Sequence, residues 1–183
     1  AFGCACTRKT LAKADGSRVY PGFCRSGLPK GTAPRSWRFK MPRGVSLSWH
    51  DRVVGRQSYS PDSVGDVTLL RADGHWAYHL AVVVDDADQE VTDIVRGADL
   101  ISSTAAHVGI QRALGILQPK YAHVPLVLNA EGQKLSKQTL ARPVEIKDSR
   151  EVLSMVFKHL SLPDDMSTHP RDTMSGAIKH WGK

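Results

Sequence analysis

The sequence contains no apolar run long enough to span a bilayer and nothing that reads as a secretory leader. It has no internal repeat and no low-complexity segment, so solenoid and fibrous architectures are set aside. No histidine precedes His50. Cysteine is scarce: Cys4, Cys6 and Cys24 are the whole set, odd in number and confined to the first 24 residues. An odd, clustered set without a leader argues against a disulfide framework and for a reducing compartment. A cytoplasmic protein is therefore expected.

What is present suits a globular chain. The 183 residues are 41% hydrophobic and 23% charged, enough for one domain with a small appendage. Many of the 15 glycines and 10 prolines fall in the first 65 residues, which predicts loops and short strands there. The net charge is +7. Such a charge serves solubility, or it serves a partner that carries phosphate. Basic residues crowd the front (Arg8, Lys9, Lys13, Arg18, Arg25, Lys30, Arg35, Arg38, Lys40 and Arg43), whereas Asp85, Asp86, Asp88 and Glu90 come later. The uneven distribution favours an anionic partner.

Short strands are expected at Trp37–Met41, Val45–Trp49 and Val67–Leu70, with a turn at Asp73-Gly74. Ala77–Ala87 fits either a buried strand, from its three consecutive valines, or a buried helix, from its length and its alanines. Val91–Val95 reads as a strand ending at Gly97. Ser103 or Thr104 can cap a helix that runs to Leu114 and stops at Gly115. Tyr121–Leu128 reads as a buried strand leading to a loop with Gly132 and Lys134-Leu135-Ser136-Lys137-Gln138. Ser149 can cap a helix from Arg150 to Leu160, and a last short helix is expected from Thr173 to Trp181. The order is a small β-rich part, then mixed α/β, then helices.

Cys4-Ala5-Cys6 sets two thiols one residue apart, and Cys24 returns after an excursion through Asp15-Gly16 and Pro21-Gly22. Three thiolates suit zinc, which takes four ligands in a tetrahedron. With no histidine nearby, Tyr20 is the nearest fourth donor. The plainer alternative is three buried cysteines beside a packed tyrosine. Lys134 and Lys137 straddle Ser136 on a loop, an arrangement that can close over a polyphosphate and stabilise charge at phosphorus. Alone it is equally a solvated basic turn.

The motifs gain meaning as a series. Arg96-Gly97-Ala98-Asp99, Ser103-Thr104, Tyr121-Ala122-His123-Val124-Pro125, Gly132 and Lys134 to Gln138 follow one another in an order that resembles class I glutamyl-tRNA synthetases. Cys4-Ala5-Cys6-Thr7-Arg8 with Tyr20-Pro21-Gly22-Phe23-Cys24-Arg25 resembles the zinc-bearing insertion of that family. The likeness covers residues 3–140. Ala98-Asp99 after Arg96-Gly97, where full synthetases usually carry Glu-Glu, and Gln138, where they commonly carry arginine, resemble the glutamyl-queuosine branch. The short remainder after Gln138 points the same way.

The resemblance implies a fold and a chemistry. The fold is α/β, part of a Rossmann-like catalytic core (residues 66–140), preceded by a zinc-bearing β-rich insertion with connecting strands (1–65) and followed by a helical segment (141–183). The implied reaction joins glutamate to ATP as glutamyl-adenylate and transfers it to queuosine in the anticodon of tRNA(Asp). Magnesium is expected with the ATP, and the full-length protein is expected to be a monomer. Tyr78 and Arg96 match glutamate-binding positions, Lys134 and Lys137 the catalytic lysines, and Ser136 with Lys137 the ATP contacts. Cys4, Cys6, Tyr20 and Cys24 match structural zinc ligands. Asp85, Asp86, His79 and His123 are expected to be structural.

Some features depart from the family. No His-x-Gly-His or His-Phe-Gly motif occurs, and the chain starts three residues before a candidate ligand. The amino-terminal half of the site is therefore expected to be missing, and the 183 residues alone are expected to show little glutamate-dependent pyrophosphate exchange. Ala105-Ala106 and Leu70-Arg71 stand where relatives carry more basic pairs. Two other readings remain: the catalytic portion of a glutamyl-tRNA synthetase, and a non-catalytic zinc-ordered module that binds RNA.

Overall fold

In chain order the elements are β1 (Phe2–Cys4), α1 (Arg8–Ala12), β2 (Ser36–Arg38), β3 (Leu47–Asp51), β4 (Gly55–Tyr59), α2 (Pro61–Val64), β5 (Thr68–Leu70), α3 (Tyr78–Asp88), β6 (Asp93–Gly97), a 3-10 turn at Ala98–Leu100, α4 (Ile101–Leu114), β7 (Lys120–Val124) and α5 (Ser149–His159). These come from a computed structural model that describes residues 1–12, 19–136, 141, 143, 149–162, 174, 175 and 178. The architecture is mixed α/β. One sheet has the strand order β1-β2-β5, the other β4-β3-β7-β6.

The chain forms two compact units. The first comprises Ala1–Ile94 and Leu100–Ala122, the second Val95–Asp99 and His123–Lys183. The hydrophobic core of the first unit lies between α4 and β3. Leu47 and Trp49 alternate inward along β3 and meet Met41, Ala105, Ala106, Val108 and Tyr121. Trp49 stacks on Tyr59 with ring centroids 5.6 Å apart. β3 pairs antiparallel with β4 and parallel with β7, where Asp51 lies opposite Tyr121.

The hairpin between β3 and β4 is closed by a buried carboxylate. Asp51 Oδ1 accepts the amides of Val53 and Val54 at 3.0 and 3.1 Å, and Gly55 adopts φ +73°. A three-residue loop followed by a left-handed glycine is a favoured hairpin closure. The sequence reading did not identify β4, although Asp51 and Gly55 carried its turn chemistry.

The ambiguous Ala77–Ala87 segment is helical, as α3. α4 stops where expected: Gly115 is left-handed, and the amides of Gly115 and Ile116 donate to the carbonyls of Arg112 and Gln111. Its start differs. The N-cap is Leu100, which makes no side-chain cap bond, and Ser103 and Thr104 lie inside the first turn. Thr104 Oγ1 instead donates back to the Leu100 carbonyl at 3.2 Å. Every residue from Thr104 to Gln111 is buried. Gly109 belongs to this run because a Cβ there would come within 2.7 Å of Met41 Sδ. Most of the helix expected from Thr173 to Trp181 lies outside the described residues.

Candidate functional site

The three cysteines converge. Their Sγ atoms all lie within 4.8 Å of one another, and Cys6 and Cys24 are 3.7 Å apart. Tyr20 completes the cluster, its Oη 3.4 Å from Cys4 Sγ and 3.9 Å from Cys6 Sγ. A tetrahedron with Zn–S bonds of about 2.3 Å and a Zn–O bond of about 2.0 Å has S···S edges near ~3.8 Å and S···O edges near ~3.5 Å. The donor set fits zinc in kind, and the separations of 3.4, 3.7 and 3.9 Å lie near those edges. The Cys24 amide donates to Tyr20 Oη at 2.8 Å, which aims that oxygen at the thiols.

Protonation points the same way. Burial pushes the Cys4 thiol up, but hydrogen bonds led by Tyr20 outweigh it and bring Cys4 down to about 7. Burial and the neighbouring thiols push Cys6 up to about 11, and burial with Cys4 pushes Tyr20 well above its usual range. Cys4, Cys6 and Tyr20 thus compete for negative charge in one place. A divalent cation relieves that competition by replacing their protons. Among the described residues this is the one group of three or more histidine, cysteine or carboxylate side chains placed to hold a metal.

The cluster is tied to the core by a second device. Asp66, 4% exposed, accepts from the Arg25 guanidinium and, at 2.8 Å, from the Met41 amide. Arg25 also donates to the Met41 carbonyl at 2.8 Å. Arg38 donates to the Asp66 carbonyl at 2.9 Å and lays its guanidinium 3.9 Å from the centre of the Tyr20 ring. The turn that carries Cys24 is therefore anchored one residue away. Sequence reading missed Asp66, which sits in no recognisable motif.

Tyr78 opens α3 in the first unit and is half exposed. Its ring meets those of His79 and His107 at 5.7 and 5.6 Å, and His79 Nδ1 lies 3.2 Å from His107 Nε2. His107 is buried on α4 and was not identified from sequence. A hydrogen bond between two imidazoles needs one donor and one acceptor, so at most one of the two rings is charged while it persists. Asp85 and Asp86 lie later on α3, and their carbonyls accept the amides of Gln89 and Val91 as the helix ends.

Arg96 belongs to the second unit, on β6. Its Nε donates to Nε2 of the fully buried His123 at 3.2 Å. The contact requires a lone pair on that nitrogen, hence a neutral ring with its proton on Nδ1. His123 thereby fixes the plane of the guanidinium. Two residues past Gly97, Asp99 Oδ2 accepts from Lys134 Nζ at 2.6 Å. A Cβ at Gly97 would lie 2.6 Å from Asp99 Oδ1 and 3.0 Å from Leu126, so the chain folds too tightly there for a side chain. Two motifs far apart in the chain thus meet through an ion pair.

The lysine loop itself is a turn built on Asn129. Its Oδ1 accepts the Gln133 amide at 2.7 Å, Gly132 takes φ +75°, and the Leu135 amide returns to the Val127 carbonyl. Ser136 follows, half-buried. Lys137 and Gln138 lie outside the described residues. Among the described residues no helix is long and apolar enough to cross a membrane.

A mixed sheet with a parallel pair, an arginine at the end of a strand and a loop lysine paired to its motif are consistent with a class I synthetase catalytic domain. Residues 27–157 match the family of class I (E and Q) tRNA synthetase catalytic domains, and the chain belongs to that family. It is 47% identical to a Glutamyl-Q tRNA(Asp) synthetase of Leptothrix cholodnii, over 99% of this chain and 66% of that protein. The proteins of the same name from Aromatoleum aromaticum and Bordetella bronchiseptica are 45% and 43% identical over 98% and 100% of the chain, and 59% and 60% of their own lengths. The chain thus spans roughly three fifths of these curated relatives. Among solved structures, a glutamate tRNA ligase from Elizabethkingia meningosepticum in complex with its amino acid is 35% identical with a TM-score of 0.51, over 58% of this chain and 22% of that one.

Proposed function

We propose that this chain supplies part of a glutamyl-Q tRNA(Asp) synthetase. The observation that carries the reading is the near-complete coverage of the chain by relatives of that name at 43 to 47% identity. In the first step a glutamate carboxylate oxygen attacks the α-phosphorus of ATP, a bond to pyrophosphate breaks, and glutamyl-adenylate forms. In the second a hydroxyl of the queuosine cyclopentenediol attacks the acyl carbon and AMP leaves. The substrates are glutamate, ATP with magnesium, and tRNA(Asp) bearing queuosine.

Each residue has a role in this reading. Arg96, held in plane by His123, offers paired donors and a permanent charge to a glutamate carboxylate. Tyr78 matches another of the family's glutamate-binding positions. Lys134, Ser136 and Lys137 meet the ATP phosphates, and the lysines stabilise charge at the attacked phosphorus. Asp99 keeps Lys134 beside the Arg96 strand until phosphate competes for it. Zinc on Cys4, Cys6, Tyr20 and Cys24 is structural: it fixes the fold of the front and takes no part in the reaction. The arrangement is part of a Rossmann-like core (66–140) with a zinc-bearing insertion (1–65) and a helical segment (141–183), in a cytoplasmic monomer.

A second reading, the catalytic portion of a glutamyl-tRNA synthetase, draws on the 35% identity to the glutamate tRNA ligase. One experiment separates the two. Labelled glutamate and ATP are incubated with queuosine-bearing tRNA(Asp), with the same tRNA lacking queuosine, and with tRNA(Glu). Transfer confined to the queuosine-bearing tRNA is expected once the chain is joined to the remaining length of its relatives. Transfer to tRNA(Glu) alone would establish the second reading. The 183 residues alone are expected to give little pyrophosphate exchange, and robust exchange by them would show that a complete activation site is already present.

A further inference from the structure

The β1-β2-β5 sheet has two unlike faces. Phe2 lies opposite Arg38 and Cys4 opposite Ser36, and these side chains serve the cysteine cluster: Arg38 covers the Tyr20 ring, and Phe2 lies 6.2 Å from it. The residues between them point the other way. Gly3 lies opposite Trp37, Trp37 opposite Leu70, and Leu70 opposite Trp76. Directly opposed residues share a face, so these four form one row across the sheet. Pro34 and Leu28 close the row at Gly3, where a Cβ would come 2.8 Å from Pro34 Cβ. Trp37 is 44% exposed and Trp76 64%.

Two tryptophans so exposed, on the face opposite the cysteine cluster, have no role in the core. Their surroundings are basic. Arg35 precedes Trp37 by two residues, and Arg71 and His75 lie between Leu70 and Trp76, all three exposed. The acidic group nearest in the chain, Asp73, is engaged by both Arg71, at 2.5 Å, and His75, at 3.4 Å. The chain as a whole carries +7.

We propose that the Trp37–Leu70–Trp76 row is a stacking platform for unpaired nucleotides of an RNA loop. The proposal rests on the tRNA reading above and adds to it the surface that receives the loop. Aromatic side chains on neighbouring strands stack splayed bases, and flanking cations meet the phosphates. A paired RNA stem keeps its bases stacked on one another and offers no base face to such a surface. The platform therefore selects loop over stem without reading sequence, and the cysteines on the opposite face would hold the zinc that orders these three short strands.

The test uses the zinc-loaded 183-residue chain and two probes: a hairpin RNA with the tRNA(Asp) anticodon loop, and a blunt duplex of its stem. Trp37→Ala and Trp76→Ala are each expected to weaken hairpin binding by about five- to a hundredfold. Duplex binding should stay within about twofold, and Trp76→Phe should keep most of the hairpin affinity. Because both rings are exposed, melting temperature and zinc content should not move. Hairpin affinity unchanged in both alanine variants overturns the proposal, as does equal weakening for hairpin and duplex, or no hairpin binding by the unaltered chain. Sedimentation that shows a dimer dispersed by Trp76→Ala, with hairpin affinity unchanged, would assign the row to a second copy of the chain instead. Failure of glutamate transfer to tRNA(Asp) with tryptophan-dependent hairpin binding intact would remove the activity reading and leave the platform standing.

Discussion

In the β1-β2-β5 sheet each strand is three residues long, and the side chains on its inner face serve sulfur, a phenol ring and a guanidinium. Around α4 the same unit buries eight consecutive residues against Met41, Leu47, Trp49 and Tyr121. The first region buries little apolar surface, whereas the second buries a continuous run of it. Burial contributes in proportion to apolar area removed from water, roughly 25 cal/mol per Å². Strands this short remove little, so the front relies on a few strong, directional contacts, and the back on many weak ones.

The sharpest way to break this comparison is to take away the metal site. Cys24→Ser, or chelation of zinc from the unaltered chain, should abolish hydrogen-exchange protection in β1, β2 and the Cys24 turn, because structural zinc supplies folding free energy of about 10 kcal/mol or more in small sites. Amides of α4 should remain protected. Metal analysis should find one zinc per chain before and none after. Equal loss of protection in both regions would mean that the front and the α4 core unfold together.

Asp66→Ala probes the link between the two regions. It leaves the Arg25 guanidinium without its carboxylate and the Met41 amide without its acceptor. Removing one member of a buried ion pair typically costs about 3–5 kcal/mol. Urea denaturation should show a loss of that size, with zinc still bound at saturating metal. A loss below about 1 kcal/mol would show that water readily replaces the carboxylate.

The same contrast explains what could be read from sequence. The thiol cluster was legible because ligand chemistry leaves few residue types to choose from, and Cys4, Cys6, Tyr20 and Cys24 do converge. The stop of α4 was legible because Gly115 marks a backbone state that favours glycine. Its start was not, since Ser103 and Thr104 are good caps in isolation and tertiary burial extends the helix past them. Nor were Asp66, His107 and His123 readable as partners of Arg25, His79 and Arg96. Each is a polar residue whose meaning comes from a neighbour 27 to 41 positions away.

The smallest expected effect lies at the Asp99–Lys134 pair in the second unit, where both side chains are well exposed, 36% and 49%. Solvent screens such a pair, so its contribution to stability is about 0.2–1 kcal/mol at most. Asp99→Asn should therefore leave the melting temperature nearly unchanged. It should still act locally: Lys134 loses the Asp99 carboxylate beside Gly97, and the turn from Asn129 to Leu135 should exchange its amides faster. The effect should shrink as salt rises, since the attraction is screened over a Debye length of about 8 Å at physiological ionic strength. Unchanged exchange at low salt would mean that the Asn129 turn holds the loop by itself, through the Gln133 and Leu135 amides. Faster exchange with an unchanged melting temperature would assign Asp99 to placing a lysine rather than to holding the fold.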